Sequence, residues 1–195
     1  MSQRRLETSE ICRLVVEGLA EATETENLTL RSARRSPYWR TAIASAGETL
    51  FVVPQVDLKA TDVYKGGAFR VEFEKAASRQ PSRGLNGRAL FFQLLLPDEV
   101  AHLLSIQNAM IKRTPHPPPE HVNAYPVGPV RDMYLSYFQP QREFDAIKCW
   151  LRSRTVEDVQ VWTDALSELL PVMLERARSI LDPTVRVLGL GNLVT

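Results

Sequence analysis

Between Thr8 and Glu24, apolar residues return at helical spacing: Ile11, Leu14, Val15 and Leu19, with glutamates on the other side. That spacing predicts an amphipathic helix over 8–24. Thr8 or Ser9 stands where a cap is needed, and Glu10 suits the first turn. The period then changes to two. "PYWRTAIA" and "TLFVVPQVDL" flank "SAGE" and read as two strands joined by a hairpin turn. Pro54 lacks a ladder donor, which places its strand at an edge or gives it a bulge. In "GGAFRVEFEKA", Phe69, Val71 and Phe73 alternate with Arg70, Glu72 and Glu74. One apolar and one charged face predict a strand whose sheet has one face in water, the antiparallel habit.

Downstream, "RALFFQLLL" reads as a helix over 88–95, with a buried strand as the alternative. Residues 98–113 predict a second amphipathic helix. Val100, Leu103, Leu104, Gln107 and Ile111 form its face with one polar gap; Asp98 and Glu99 open it, Lys112 and Arg113 close it. "TPHPPPEHVNAYPVGPV" holds six prolines in seventeen residues and reads as an irregular surface loop over 114–130. "DMYLSYF" and "FDAIKCWLRS" read as a strand pair around "QPQRE". A last helical region opens at Thr155, where Thr155 and Asp158 resemble a capping box, and Pro171 marks a kink or a second helix. Residues 183–195 form an apolar, glycine-broken tail that suits an edge strand or a contact with another chain. The order implies an α+β fold: a curled antiparallel sheet of about five to six strands. An N-terminal helix, a central helix and C-terminal helices would pack on one face.

Composition agrees with one domain over residues 1–195: the chain is 44% apolar and long enough to bury a core without staples. The net charge is +1, which gives no general affinity for polyanions. Its distribution is uneven. Residues 31–88 carry eleven Lys/Arg against five acids, a net +6, between two mildly acidic segments. Arginine outnumbers lysine 19 to 5, a bias that GC-rich coding explains as readily as ligand chemistry does. Cys12 and Cys149 sit in unrelated patterns, which suits a reducing compartment. With no apolar run near the ~20 residues that span a bilayer, the expected location is the cytoplasm, away from membranes.

Three segments, "YKGGAFRVEFE", "CWLRSRTVEDVQVW" and "LLPVMLERA", resemble a family of small bacterial α+β domains of unknown function. The resemblance covers about half the chain and rests on core pattern. It implies a first helix leading into a curled meander, and a Trp-containing strand before the last helix. It implies no catalytic residues.

Four constellations carry candidate chemistry. "SRQPSRGLNGR", with Arg83, Gly84, Gly87 and Arg88, has the glycines and cations of an anion cradle, or is a solvated connector. It lacks the Lys-Ser/Thr of a phosphate-binding P-loop and the preceding helix of a KH clamp. "RSARRSPYWR" sets Arg31, Arg34, Arg35 and Arg40 beside Tyr38 and Trp39, the mixture a single-stranded nucleic-acid platform uses; the alternative is a basic loop entering a strand. Glu48 with Asp57 and Lys59 loosely matches a metal-dependent nuclease pattern, which Glu17 or Glu21 would complete. His116, Glu120 and His121 have zinc-ligand chemistry, but the prolines deny them a helix face and exposed loop histidines are the simpler reading. Cys149 beside Trp150 reads as packed. No cofactor fingerprint is present, and no cofactor or metal is expected.

The function these features favour is a non-catalytic binding or accessory module acting through protein–protein contact or self-association. The alternative is a nucleic-acid binder or nuclease built on the basic block 31–88. A third possibility is a ligand pocket under the sheet lined by Trp39, Phe69, Trp150 and Trp162, residues that also suit an ordinary core.

Overall fold

The structure, a computed structural model, describes residues 6–24, 31–35, 38–45, 48–56, 64–76, 88–145 and 149–181. Helix α1 spans Thr8–Glu24 and buries Ile11, Cys12, Val15 and Leu19. Strands β1 (Arg31–Arg35), β2 (Tyr38–Ser45), β3 (Glu48–Val56) and β4 (Gly67–Ala76) follow as an antiparallel meander. Ser45 pairs with Glu48, so the β2–β3 hairpin turns within the expected "SAGE" segment. β1 corrects an expectation, since the basic stretch enters the sheet as a strand of its own.

The far edge of β4 is shared. β5 (Arg88–Leu90) pairs with Glu72–Glu74, and β6 (Leu151–Ser153) pairs with Gly67–Phe69. The sheet is open, with four longer strands and two three-residue strands on one edge. Register places Val52 opposite Phe73 and Val56 opposite Phe69, so period two puts these four on one face. They join α1 and the final helix α5 (Val156–Leu181) in a single buried cluster that includes Trp162, Leu166 and Leu170. Gly18 of α1 lies against Thr163 of α5, and Ser167 Oγ donates to the Gly18 carbonyl at 3.2 Å. The missing side chain at position 18 is what lets the two helices approach.

Several elements differ from expectation. Residues 88–95 are neither one helix nor one strand: β5 gives way to a turn of 3-10 helix at Phe91–Leu94. Helix α2 (Pro97–Arg113) opens on Glu99, whose carboxylate accepts the Leu96 N–H at 2.6 Å. The proline-rich segment is not wholly irregular. It contains α3 (Pro119–Asn123) and the start of α4 (Pro129–Ser136), and each begins on a proline, where a missing N–H costs nothing. The expected strand over 132–138 is therefore helical. Tyr134 and Phe138, four apart, are the residues it buries. Of its expected partner over 144–153, the described residues are strand only at β6.

Two further corrections concern faces and breaks. Pro171 lies inside α5, a single helix, so no second helix starts there. The charged face of β4 is not in water, because Glu72 and Glu74 are 5% and 2% exposed. The Thr155–Asp158 capping box is present: Asp158 N–H donates to Thr155 Oγ1, and Thr155 N–H donates to Asp158 Oδ2, each at 3.1 Å.

Candidate functional site

Gln107 is the polar gap in the α2 stripe, and the fold gives it a task. It is fully buried (0% exposed). Its Nε2 donates to the Trp150 carbonyl and to Gln141 Oε1, both at 2.9 Å, and its Oε1 accepts the Arg152 N–H at 3.2 Å. Next to it, Asn108 Nδ2 donates to the Gln141 carbonyl at 2.8 Å while its Oδ1 accepts the Gln141 N–H at 2.7 Å. From the other side, Trp162 Nε1 donates to the Arg152 carbonyl at 2.8 Å. Three separate chain segments are thereby locked together: α2, the 139–143 connector and β6.

Those segments wall a pocket of about 370 Å³, lined by Met133, Ser136 and Tyr137 of the α4 end, residues 139–143, Trp150 and Arg152. That volume is within the range of ligand sites. The Arg152 guanidinium lies 4.7 Å from the Tyr137 ring centroid, and Lys65 Nζ lies 3.6 Å from the same ring. The Arg70 guanidinium lies 4.7 Å from the Trp150 ring. Cations above aromatic faces are held by the ring quadrupole, at about 0.5–2 kcal/mol each. Loss of water pushes the Arg152 pKa down to about 10, with Tyr137 acting weakly the other way.

Trp150 links the pocket, through the Arg70 guanidinium, to the covered charged face of β4. Arg70 Nη2 meets Glu72 Oε1 at 2.7 Å, and its Nε and Nη2 donate to Gln55 Oε1 at 3.0 and 2.8 Å. Arg88 Nε lies 2.9 Å from Glu74 Oε1 and its Nη1 lies 3.8 Å from Glu72 Oε2. Burial raises the Glu72 pKa, opposed by Arg70 and Arg88. Cys149 receives Arg70 Nη1 at 3.8 Å, yet burial still raises its thiol, and burial pushes Cys12 up to about 12. Neither cysteine is poised as a nucleophile.

The 114–138 segment packs through aromatic rings. Tyr125 stacks on Tyr134 at 4.1 Å, His121 contacts Tyr64, Tyr125 and Tyr134, and His116 contacts Phe138. Arg131 ties the segment together, donating to the Tyr125 carbonyl at 2.6 and 3.0 Å. Tyr134 of α4 is buried in this way, while apolar side chains beside it stay open. Val127 is 84% exposed and Met133 is 55% exposed, with Val130 between them also exposed. Val130, Met133 and Tyr137 follow at helical spacing, so this apolar strip runs into the pocket.

The residues singled out in the sequence fall on several elements, and some lie outside the described residues. Arg34 and Arg35 pair opposite Trp39 and Tyr38, and Arg40 pairs opposite Ala33, all in the β1–β2 hairpin. β1 and β5 are the two ends of the strand path, so Arg88 is three strands away from that hairpin, and its guanidinium is engaged with Glu74 and Glu72. Arg83, Gly84, Gly87, Asp57 and Lys59 lie outside the described residues, as does the 183–195 tail. Glu48 begins β3, whereas Glu17 is engaged with Arg13 at 2.7 Å. His116 and Glu120 are exposed and His121 is half-buried among tyrosines. Among the described residues, no three His, Cys, Asp or Glu side chains come together to hold a metal. Of the four aromatics suggested for a pocket, Phe69 and Trp162 are core and Trp150 lines the cavity.

Tyr137, Arg152 and Gln107 escaped the sequence reading as site residues. Gln107 alone left a signal, as a polar residue on an apolar helix face. No family model, curated protein or solved structure matches the chain, so the family resemblance rests on the quoted segments alone. Among the described residues, no helix is long and apolar enough to cross a membrane.

Proposed function

We propose that the chain is a non-catalytic binding module that contacts a partner protein through the open side of α4. The observation that supports this is a group of exposed apolar side chains, Val127 in the turn before α4 and Val130 and Met133 on it, beside Tyr134, whose ring is stacked on Tyr125. Water-facing apolar side chains on a rigid element are what a protein contact uses, and contiguous ones mark interaction surfaces. The test is co-purification from the cells that express the chain, comparing wild type with Met133→Glu. A carboxylate placed in an apolar contact costs several kcal/mol, enough to lose a micromolar partner. Retention of the same partner by both proteins would overturn the assignment.

A second reading is nucleic-acid binding through the β1–β2 hairpin. It is favoured by Arg31, Arg34 and Arg35 on a strand that, among the described residues, pairs on one side only, with Arg34 and Arg35 in register with Trp39 and Tyr38. Binding of labelled RNA or DNA that weakens steeply between two salt concentrations would support it. Absence of binding at low salt would remove it.

A further inference from the structure

We propose that the pocket between α4 and β6 is a binding site for a small organic anion, with Arg152 taking its carboxylate or phosphate and Tyr137, Trp150 and Met133 taking an apolar body. The argument begins with charge. Among the described residues, no hydrogen bond or ion pair reaches the Arg152 guanidinium, which lies 4.7 Å from the Tyr137 ring centroid. Arg70 and Arg88 on the same sheet are each matched to carboxylates, and Arg176 is matched to Glu99 at 2.6 Å. Arg152 is the desolvated cation that lines a cavity without such a match. A guanidinium presents a planar fork of donors suited to an oxyanion, and such charge-assisted bonds strengthen away from water.

Shape agrees with charge. The backbone of Arg152 is clamped on both sides, its N–H by Gln107 and its carbonyl by Trp162, so the cation is presented from a fixed support. The opposite wall is pinned to α2 through Asn108. Such a site is pre-organised and needs little ordering when a ligand enters. At the lining, Arg142 and Glu143 are exposed neighbours of opposite sign, so Arg152 sets the net charge of the cavity. Trp150 and Tyr137 supply flat faces, and Met133 adapts to irregular apolar groups. Met133 is shared with the α4 contact, but the site needs no partner protein and its test reads Arg152, which that contact does not use.

The experiment is a titration of the purified chain with benzoate, phenyl phosphate and benzamide, followed by the Trp150 indole N–H resonance and by tryptophan fluorescence. Anions of this size bind in about the millimolar range. Saturable binding is expected for benzoate or phenyl phosphate, with the neutral isostere benzamide at least about tenfold weaker. The stronger of the two anions tells a carboxylate ligand from a phosphate one. Arg152→Gln is expected to lose anion binding while its melting transition remains cooperative. Equal binding of benzamide and benzoate, unchanged anion binding in Arg152→Gln, or no saturation by either anion would overturn the proposal. The benzamide comparison needs no variant, and it decides the matter even if Arg152→Gln folds poorly.

Discussion

Replacing Gln107 by leucine tests whether one buried amide holds the pocket walls together. Leucine keeps the volume close and suits the apolar α2 face, so no large cavity forms. What changes is hydrogen bonding. The Arg152 N–H loses an acceptor at 3.2 Å and the Trp150 carbonyl loses a donor at 2.9 Å, in a place where position 107 is 0% exposed. A buried backbone group left without its partner costs about 1–3 kcal/mol. Two such groups at about 2 kcal/mol each, less about 1 kcal/mol returned by the more apolar side chain, give a net loss near 3 kcal/mol. Urea unfolding of wild type and Gln107→Leu measures this as a lower midpoint at constant m-value. Because the loss falls on the strand that carries Arg152, tryptophan fluorescence of the folded variant should also change. A stability difference below about 0.5 kcal/mol, the range of an ordinary surface substitution, would refute the reasoning.

Other substitutions address the helices. In Gly18→Ala the new Cβ would lie 2.6 Å from Thr163 Cβ, so an overpacking cost of about 1–3 kcal/mol opposes a helix-propensity gain of about 1 kcal/mol and the variant should be destabilised. In a Thr163→Gly background the same substitution should become stabilising, and a double-mutant cycle by urea unfolding reads the change of sign. Asp158→Ala removes the acceptor for the Arg154 and Thr155 N–H groups and should cost about 1–2 kcal/mol, measured as a lower melting temperature. Glu99 has its pKa lowered by hydrogen bonds from Arg176 and the Leu96 N–H, so its folded value lies below its unfolded one. Its contribution is therefore present above about pH 4.3, the ordinary glutamate value, and drains away as pH falls through the folded pKa. Glu99→Gln should flatten that part of the acid limb in stability-versus-pH curves.

Legibility in the chain followed the length of the periodic signal. Helices α1 and α2 and strand β4 were readable because each repeats its pattern over ten or more residues. "DMYLSYF" was misread because seven residues support both periods. The burial of Tyr134 and Phe138, which decides for a helix, depends on Tyr125 and His116 arriving from earlier in the chain. Alternation in β4 gave the two faces of the strand correctly, yet it says nothing about what covers a face. Burial of Glu72 and Glu74 depends on pairing with Arg70 and Arg88, the latter on a different strand. The pocket was invisible for a similar reason, since its walls come from residues 133–143 and 150–152 and its lock from Gln107. Only the polar gap at Gln107 hinted that the apolar face of α2 had something to hold.

The contact assigned to α4 is open to direct observation by site-specific photo-cross-linking. A benzophenone amino acid placed at Val130, in the exposed strip, is irradiated in cells that express the chain, beside the same probe at Glu168 on the exposed side of α5. A discrete adduct from position 130, absent from position 168 and lost on adding Met133→Glu, is the expected result, and the adduct's mass tells a second copy of the chain from a different protein. No adduct from position 130, or the same adducts from both positions, would contradict a partner contact on α4.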